Sequence, residues 1–255
     1  MNKLDVINRR AYADEQVVSW YGRLDHIYQA EAVILKKLDP FIKDKTLLDI
    51  GIGAGRTTRY LLEISQDYTG IDYTAALAAI AKTRYPLGNI FCADARQLPA
   101  PDQAFDFVLF SLSGIDYIDH GDRLKALREI HRVLRPGGFY MFSTHNREYK
   151  NFKKMPWQED TPLTLGHLKS CLYSLAYWPR HLRMKKHEVD TDQYAIVNDS
   201  AHGFSLLAYY ISADEQVKQL ESEGFRDIEI YNMEGETVKS DSQFPWIYYL
   251  ASKPL

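Results

Sequence analysis

Leu47-Leu48-Asp49-Ile50-Gly51-Ile52-Gly53-Ala54-Gly55-Arg56-Thr57-Thr58 decides how the rest of the chain is read. A short apolar run holding one acid is stopped by three glycines at alternate positions. Its brevity and apolar content predict a buried strand. The glycines predict a sharp turn that lets a ligand approach the backbone with no Cβ in the way. Residues 56–64 read as a helix, so the turn stands at a helix N-terminus with free N–H groups facing outward. Together these features describe a cradle for a nucleotide-type ligand.

Spacing narrows the ligand. A dinucleotide fingerprint, Gly-x-Gly-x-x-Gly, would need glycine at position 56, where arginine stands. The next apolar run, Tyr68-Thr69-Gly70-Ile71-Asp72, closes on an acid that can accept hydrogen bonds from both hydroxyls of a ribose. Asn89-Ile90-Phe91-Cys92-Ala93-Asp94-Ala95 reads as a third strand ending in an acid, and Ala104-Phe105-Asp106-Phe107-Val108-Leu109-Phe110-Ser111 as a fourth. Residues 122–134 carry Leu124, Leu127, Ile130, Val133 and Leu134 on one helical face. Leu134-Arg135-Pro136-Gly137-Gly138 ends that helix and leads into a fifth strand, Phe139-Tyr140-Met141-Phe142-Ser143.

In this order the segments resemble the class I S-adenosylmethionine-dependent methyltransferases, of the small-molecule, methyltransferase type 11-like kind. The resemblance covers residues 45–146 and the closing segment. It implies an α/β fold: a Rossmann-like seven-stranded sheet, mostly parallel with the last strand antiparallel, and helices on both faces. It implies S-adenosyl-L-methionine as cofactor and a set of binding residues. Asp49 would lie near the methionine ammonium, Gly51, Gly53 and Gly55 would form the turn, and Asp72, followed by Tyr73, would hold the ribose. Asp94 would accept from the adenine amine, with the Ala95 backbone on the ring and Ser111 following the fourth strand. Tyr12, Tyr21 and Arg23, on an N-terminal helix, would meet the methionine end; core packing is the other reading of Tyr21.

The remaining sequence divides around this core. Residues 1–44 are expected to form a helical cap, with a break at Asp39-Pro40. Residues 45–146 and 212–255 are expected to form the cofactor-binding core. Ser212 and Glu215 form a capping box, Gly224 is a helix stop, and residues 225–231 and 244–252 read as the last two strands. Residues 147–211 break the alternating rhythm and read as an insertion over the acceptor, with a hairpin built from residues 194–197 and 204–211. The hairpin could cover the pocket or form a dimer edge. The insertion's basic residues, among them Lys153, Lys154, Arg180, Arg183, Lys185 and Lys186, admit two readings: a solvated face, or a surface for an anionic substrate or phospholipid.

The donor's sulfonium already activates its methyl group, so an enzyme of this kind mainly aligns the acceptor and excludes water. A base is needed only where the acceptor must lose a proton. His145, just past the fifth strand, is the first candidate and His120, after the fourth, the second; His131 reads as structural. Ser111-Leu112-Ser113-Gly114 lacks the Asn/Asp-Pro-Pro-aromatic pattern of enzymes that methylate base amines, and no compact acid cluster suggests a metal. A small-molecule acceptor is expected, such as a sugar, quinone, lipid precursor or secondary metabolite. Two other readings stand beside this one: a catalytically silent binding module and a nicotinamide oxidoreductase.

Whole-chain properties set the frame. At 255 residues, 45% hydrophobic and 25% charged, one large domain or a domain with a lid is expected. A net charge of −3 gives no general drive toward nucleic acid. No run approaches the ~20 apolar residues of a membrane span, and the first ten residues lack a secretory apolar core. Cys92 and Cys171 are too few for a disulfide framework or a zinc site, and Cys92 reads as a core thiol. A cytoplasmic monomer or homodimer follows as the expectation.

Overall fold

The computed structural model describes residues 3–159, 162 and 164–255. Met1 and Asn2 of the expected cap, and Asp160, Thr161 and Leu163 of the expected insertion, lie outside the described residues. The N-terminal region folds as α1 (Lys3–Tyr12), α2 (Glu15–Tyr21) and α3 (Gln29–Ile42). Leu24 and Ile27 fall in the connection between α2 and α3 rather than on a helix. Pro40 does not break the chain as expected. It sits in the last turn of α3, where Ile34, Leu35, Leu38 and Ile42 are buried and packing holds the turn despite the missing N–H.

From Leu47 onward strands and helices alternate: β1 (Leu47–Ile50), α4 (Thr58–Ile64), β2 (Tyr68–Asp72), α5 (Ala75–Arg84), β3 (Asn89–Cys92), β4 (Phe105–Phe110), α6 (His120–Val133) and β5 (Leu134–Asn146). α7 (Leu165–Met184), β6 (Val189–Asp190), β7 (Tyr194–Val197) and β8 (Ala208–Ile211) follow. α8 (Ala213–Ser222), β9 (Arg226–Tyr231) and β10 (Trp246–Ser252) close the chain. α8 is capped by Ser212, whose side chain accepts from the Glu215 N–H.

The sheet runs β3-β2-β1-β4-β5 in parallel, as right-handed crossovers require. β10 lies antiparallel between β5 and β9. These are the seven expected strands in the expected orientation. The sheet does not stop there. β4 ends at Phe110, opposite Phe142, so the edge of β5 beyond that point is bare. β8 fills it, pairing Tyr210 with His145 and Ile211 with Asn146, and β7 and β6 continue outward as an antiparallel ribbon. The hairpin expected in residues 147–211 is therefore an extension of the main sheet. It stands beyond the carboxyl end of β4.

Two apolar layers cover the two sheet faces. One holds Leu48, Val108, Phe142 and Tyr249 with α6 and α8; the other holds Leu47, Phe107, Met141 and Tyr248 with α3 and α4. Cys92 corrects an expectation: it is exposed, because β3 is the last strand of the sheet and one of its faces looks outward. No helix among the described residues is long and apolar enough to cross a membrane.

Candidate active site

The carboxyl ends of β1, β2 and β3 open onto one cleft, which encloses about 1020 Å³ including its mouth to solvent. This is where ligands bind in open α/β sheets. Its walls include Asp49, Gly51, Gly53, Asp72, Tyr73, Asp94, Ala95 and Ser111, with Tyr12 and Tyr21 roofing it from α1 and α2. Gly55, Arg23, His145 and His120, also singled out from the sequence, do not line it. Gly55 has φ +92° and an added Cβ would meet the Tyr85 ring at 2.6 Å, so it shapes the turn from behind. Arg23 hydrogen-bonds back to Ser19 at 3.3 Å. His120 lies stacked on Tyr194 at 4.4 Å, with Nδ1 2.8 Å from the Tyr209 hydroxyl.

The acids of the cleft differ in what they have left to offer. Asp72 is 4% exposed; its Oδ2 accepts from the Gly53 N–H at 2.8 Å and its Oδ1 from the Thr74 N–H at 2.7 Å. The Thr74 side chain donates to the same carboxylate, so three donors leave about one of its ~four lone pairs for another. Burial raises its pKa against those backbone bonds. Gly53, at φ +56°, has only Tyr21 near a would-be Cβ, at 3.8 Å, so its missing side chain leaves open room in the cleft. Asp49 is lifted to about 7 by burial, opposed by hydrogen bonds from Thr57 and Tyr68. Both bonds end on Oδ2.

Asp94 is different. Arg96 donates to Oδ1 from its backbone and Nε, and Oδ2 takes Nη2 of both Arg96 and Arg9, each at 2.6 Å. Four donors fill the ~four lone pairs of a carboxylate. Burial works against its charge, but the hydrogen bonds from Arg96 outweigh it and hold Asp94 at about 2. As the side chains stand, Asp94 can take an amine only where Arg9 gives way.

Other partners within the site are not readable from the sequence. Arg56, which broke the dinucleotide fingerprint, is buried and forks onto both oxygens of Glu31 at 2.6 and 2.7 Å. Its Nη2 also reaches Ser111 Oγ at 3.0 Å, and Ser111 in turn bonds Glu31. The pair ties α3 to the glycine turn. Tyr12, on α1, has Tyr117 at 5.1 Å, Tyr21 at 5.6 Å and Tyr73 at 5.9 Å between ring centres. Burial keeps Tyr12 and Tyr117 neutral far into the basic range.

Beside this tyrosine cluster stands His145. Asp116 Oδ2 accepts from the His145 backbone N–H at 2.6 Å and meets Nδ1 at 2.7 Å. Its Oδ1 is held by Arg123 at 2.5 Å and Thr144 at 2.7 Å. Arg123 and Asp116 are fully buried. Burial lowers the imidazole pKa, but the Asp116 hydrogen bond and charge outweigh it, and the net direction is upward. The Tyr117 ring, which lines the cleft, lies edge-on to His145 at 6.0 Å.

Residues 48–142 match the family model described as a methyltransferase domain. The chain carries a class I S-adenosylmethionine-dependent methyltransferase domain. A probable S-adenosylmethionine-dependent methyltransferase of Mycolicibacterium smegmatis is 28% identical over 134 residues, 52% of this chain and 51% of that protein. A malonyl-[acyl-carrier protein] O-methyltransferase of Pectobacterium atrosepticum is 26% identical over 187 residues, 71% of this chain and 73% of its own. Several curated relatives are matched over only about half of their length. Among solved structures, the Burkholderia thailandensis 1,6-didemethyltoxoflavin-N1-methyltransferase, with 1,6-didemethyltoxoflavin and S-adenosylhomocysteine bound, superposes on the methyltransferase domain and its surroundings with a TM-score of 0.59. That match is 15% identical and covers 98% of this chain and 88% of that one. At that identity the likeness shows the fold.

Proposed function

We propose that the protein binds S-adenosyl-L-methionine in the cleft at the ends of β1, β2 and β3 and transfers its methyl group to a small-molecule acceptor. One observation carries the reading: Asp49, Gly53 and Asp72 share one wall of the cleft, and Asp72 holds the glycine turn while keeping a lone pair for a ribose hydroxyl. The residues fit the cofactor. Asp49 Oδ1 is left for the methionine ammonium, and Asp72 for a ribose hydroxyl. Ala95, with Asp94 once Arg9 moves, would flank the adenine. Bound there, the cofactor supplies an electrophilic methyl group on a sulfonium. The chain's own part is to orient the acceptor against it and to exclude water with the Tyr12, Tyr21 and Tyr117 roof.

His145 is the candidate base. Asp116 Oδ2 accepts a hydrogen bond from Nδ1–H, and the neutral imidazole in that tautomer leaves Nε2 as an acceptor for an acidic proton. That arrangement suits a hydroxyl, and methyl transfer to oxygen is what the Pectobacterium relative is named for. The segment beyond β5, residues 147–211, supplies Tyr210 against His145 at 4.9 Å and would shape the acceptor's side of the pocket. Both cysteines are free thiols, in keeping with the cytoplasm.

Calorimetric titration with S-adenosylhomocysteine and with NAD tests the reading. Binding of the first and not the second is expected. NAD binding would favour the oxidoreductase. Tight S-adenosylhomocysteine binding without turnover of any acceptor in labelled metabolite extracts would favour the silent binding module.

A further inference from the structure

α7 is built inside out. The residues it turns toward the protein are His167, Cys171, Ser174, Tyr177, Trp178, His181 and Met184. Leu165, Leu168, Leu172, Leu175 and Leu182 point outward and are 78, 51, 58, 54 and 58% exposed. Their spacings of three, four and seven place them in a single stripe along 20 residues of helix. A helix that serves only its own core puts its leucines inward and its polar residues outward, so this stripe is shaped for something beyond the chain.

The charges say what that is. No Asp or Glu occurs from Leu165 to His187, while Lys169, Arg180, Arg183, Lys185 and Lys186 do. Lys169, Arg183, Lys185 and Lys186 are exposed and pair with no acid among the described residues. At 100° per residue, Lys169, Arg180 and Arg183 fall along one flank of the leucine stripe, and Lys185 and Lys186 cluster just past its end. Trp157, 41% exposed, packs on Trp178 at 5.2 Å, and Tyr173 is 46% exposed; both are amphipathic rings of the kind that settle at headgroup depth. A second copy of the chain is a poor occupant. Two such helices face to face would bring like charges together, and Pro179 occupies a seam position that a coiled coil fills with an apolar knob.

We propose that α7 is an interfacial helix that seats the protein on an anionic bilayer, its leucines in the acyl boundary and its cations among the headgroups. The inference does not depend on methyl transfer.

The full chain is tested by co-sedimentation with phosphatidylcholine vesicles with and without phosphatidylglycerol, and by sedimentation velocity without lipid. The protein should pellet with the phosphatidylglycerol vesicles and be released by salt. Leu168→Ser with Leu172→Ser should lower binding at least ~tenfold. Arg183→Gln with Lys185→Gln and Lys186→Gln should lower it by about fivefold per cation removed. All these side chains are exposed, so both variants should keep the parent's melting temperature; the charge variant stands on its own if the serine variant does not. Failure of the parent to bind phosphatidylglycerol vesicles overturns the proposal. So does binding that neither set of substitutions reduces. A lipid-indifferent dimer that Leu168→Ser with Leu172→Ser dissociates would assign the stripe to self-association instead.

Discussion

Asp49→Asn should make the protein more stable and the cofactor weaker in the same stroke. The carboxyl stands at the end of β1, 1% exposed, and burial lifts it to about 7. In the unfolded chain it titrates near ~3.9. Between those values the folded protein holds a proton that the unfolded chain has lost, so stability falls as pH rises through that window and stays low above it. At about 1.4 kcal/mol per pH unit the penalty at alkaline pH is on the order of 4 kcal/mol. Thr57 Oγ1 and the Tyr68 hydroxyl both donate to Oδ2, at 2.6 and 3.1 Å. One amide oxygen can accept both, so the substitution removes the titration and keeps the bonds. Urea unfolding of parent and variant at stepped pH measures the difference, in which every other titrating group cancels. The variant should gain up to about 4 kcal/mol near pH 8, narrowing as pH falls toward about 4. Calorimetry with S-adenosylhomocysteine should show affinity lowered by about tenfold or more, since a charge-assisted bond of roughly 1.5–3 kcal/mol is lost. A stability difference flat with pH would refute the raised carboxyl, and unchanged affinity would refute its placement at the ammonium.

Other outcomes follow from the same geometry. Asp72→Asn leaves one acceptor oxygen for two backbone donors, so it should cost about 1–3 kcal/mol of stability and weaken S-adenosylhomocysteine by at least ~tenfold; calorimetry showing parental affinity would remove Asp72 from the ribose. Arg9→Ala opens a lone pair on Asp94, so cofactor affinity should hold or rise a few-fold, and a ~tenfold loss would mean that Arg9 contacts the ligand itself. His145→Asn should lower the turnover number by about 10²–10⁴-fold on a hydroxyl acceptor. Because Asp116 favours the imidazolium, the acid limb of the parent's pH–rate profile should lie above the ordinary histidine value. A parental limb that survives in the variant would assign it to another group. Replacing all of residues 147–211 is no clean test of acceptor choice, since it would strip β8 from β5; Tyr210→Phe, with KM and kcat measured separately, perturbs the same wall and keeps the strand.

What the sequence made legible is what the chain encodes locally. The glycine turn, the acids in β1 and β2, and the order of strands and helices depend on runs of neighbouring residues, and the structure forms these elements where the sequence puts them. The parts it hid are pairings between distant segments. Nothing near Asp94 announces Arg9, 85 residues away, and nothing near His145 announces Asp116. Arg56 departs from a motif in sequence, and its partner Glu31 lies on α3, 25 residues away. Cys92 was misjudged for the same reason: an apolar strand sequence does not say whether a neighbour covers both faces. The inverted face of α7 was countable from the leucine spacing, but only packing reveals which side looks out.

Asn8 carries a consequence for how the molecule is made. Its amide acts as a stub of strand, with Nδ2 donating to the Leu207 carbonyl at 2.8 Å and Oδ1 accepting the Leu207 N–H at 3.0 Å, across 199 positions of chain. The same Nδ2 reaches the carbonyl of Tyr117 at 2.8 Å. α1 roofs the cleft, yet its anchor is synthesised 199 residues later. On the ribosome α1 must wait, unpinned, until Leu207 has emerged, so loop-closure entropy makes its docking a late event relative to its synthesis. This part of the roof is written well before the strand that holds it.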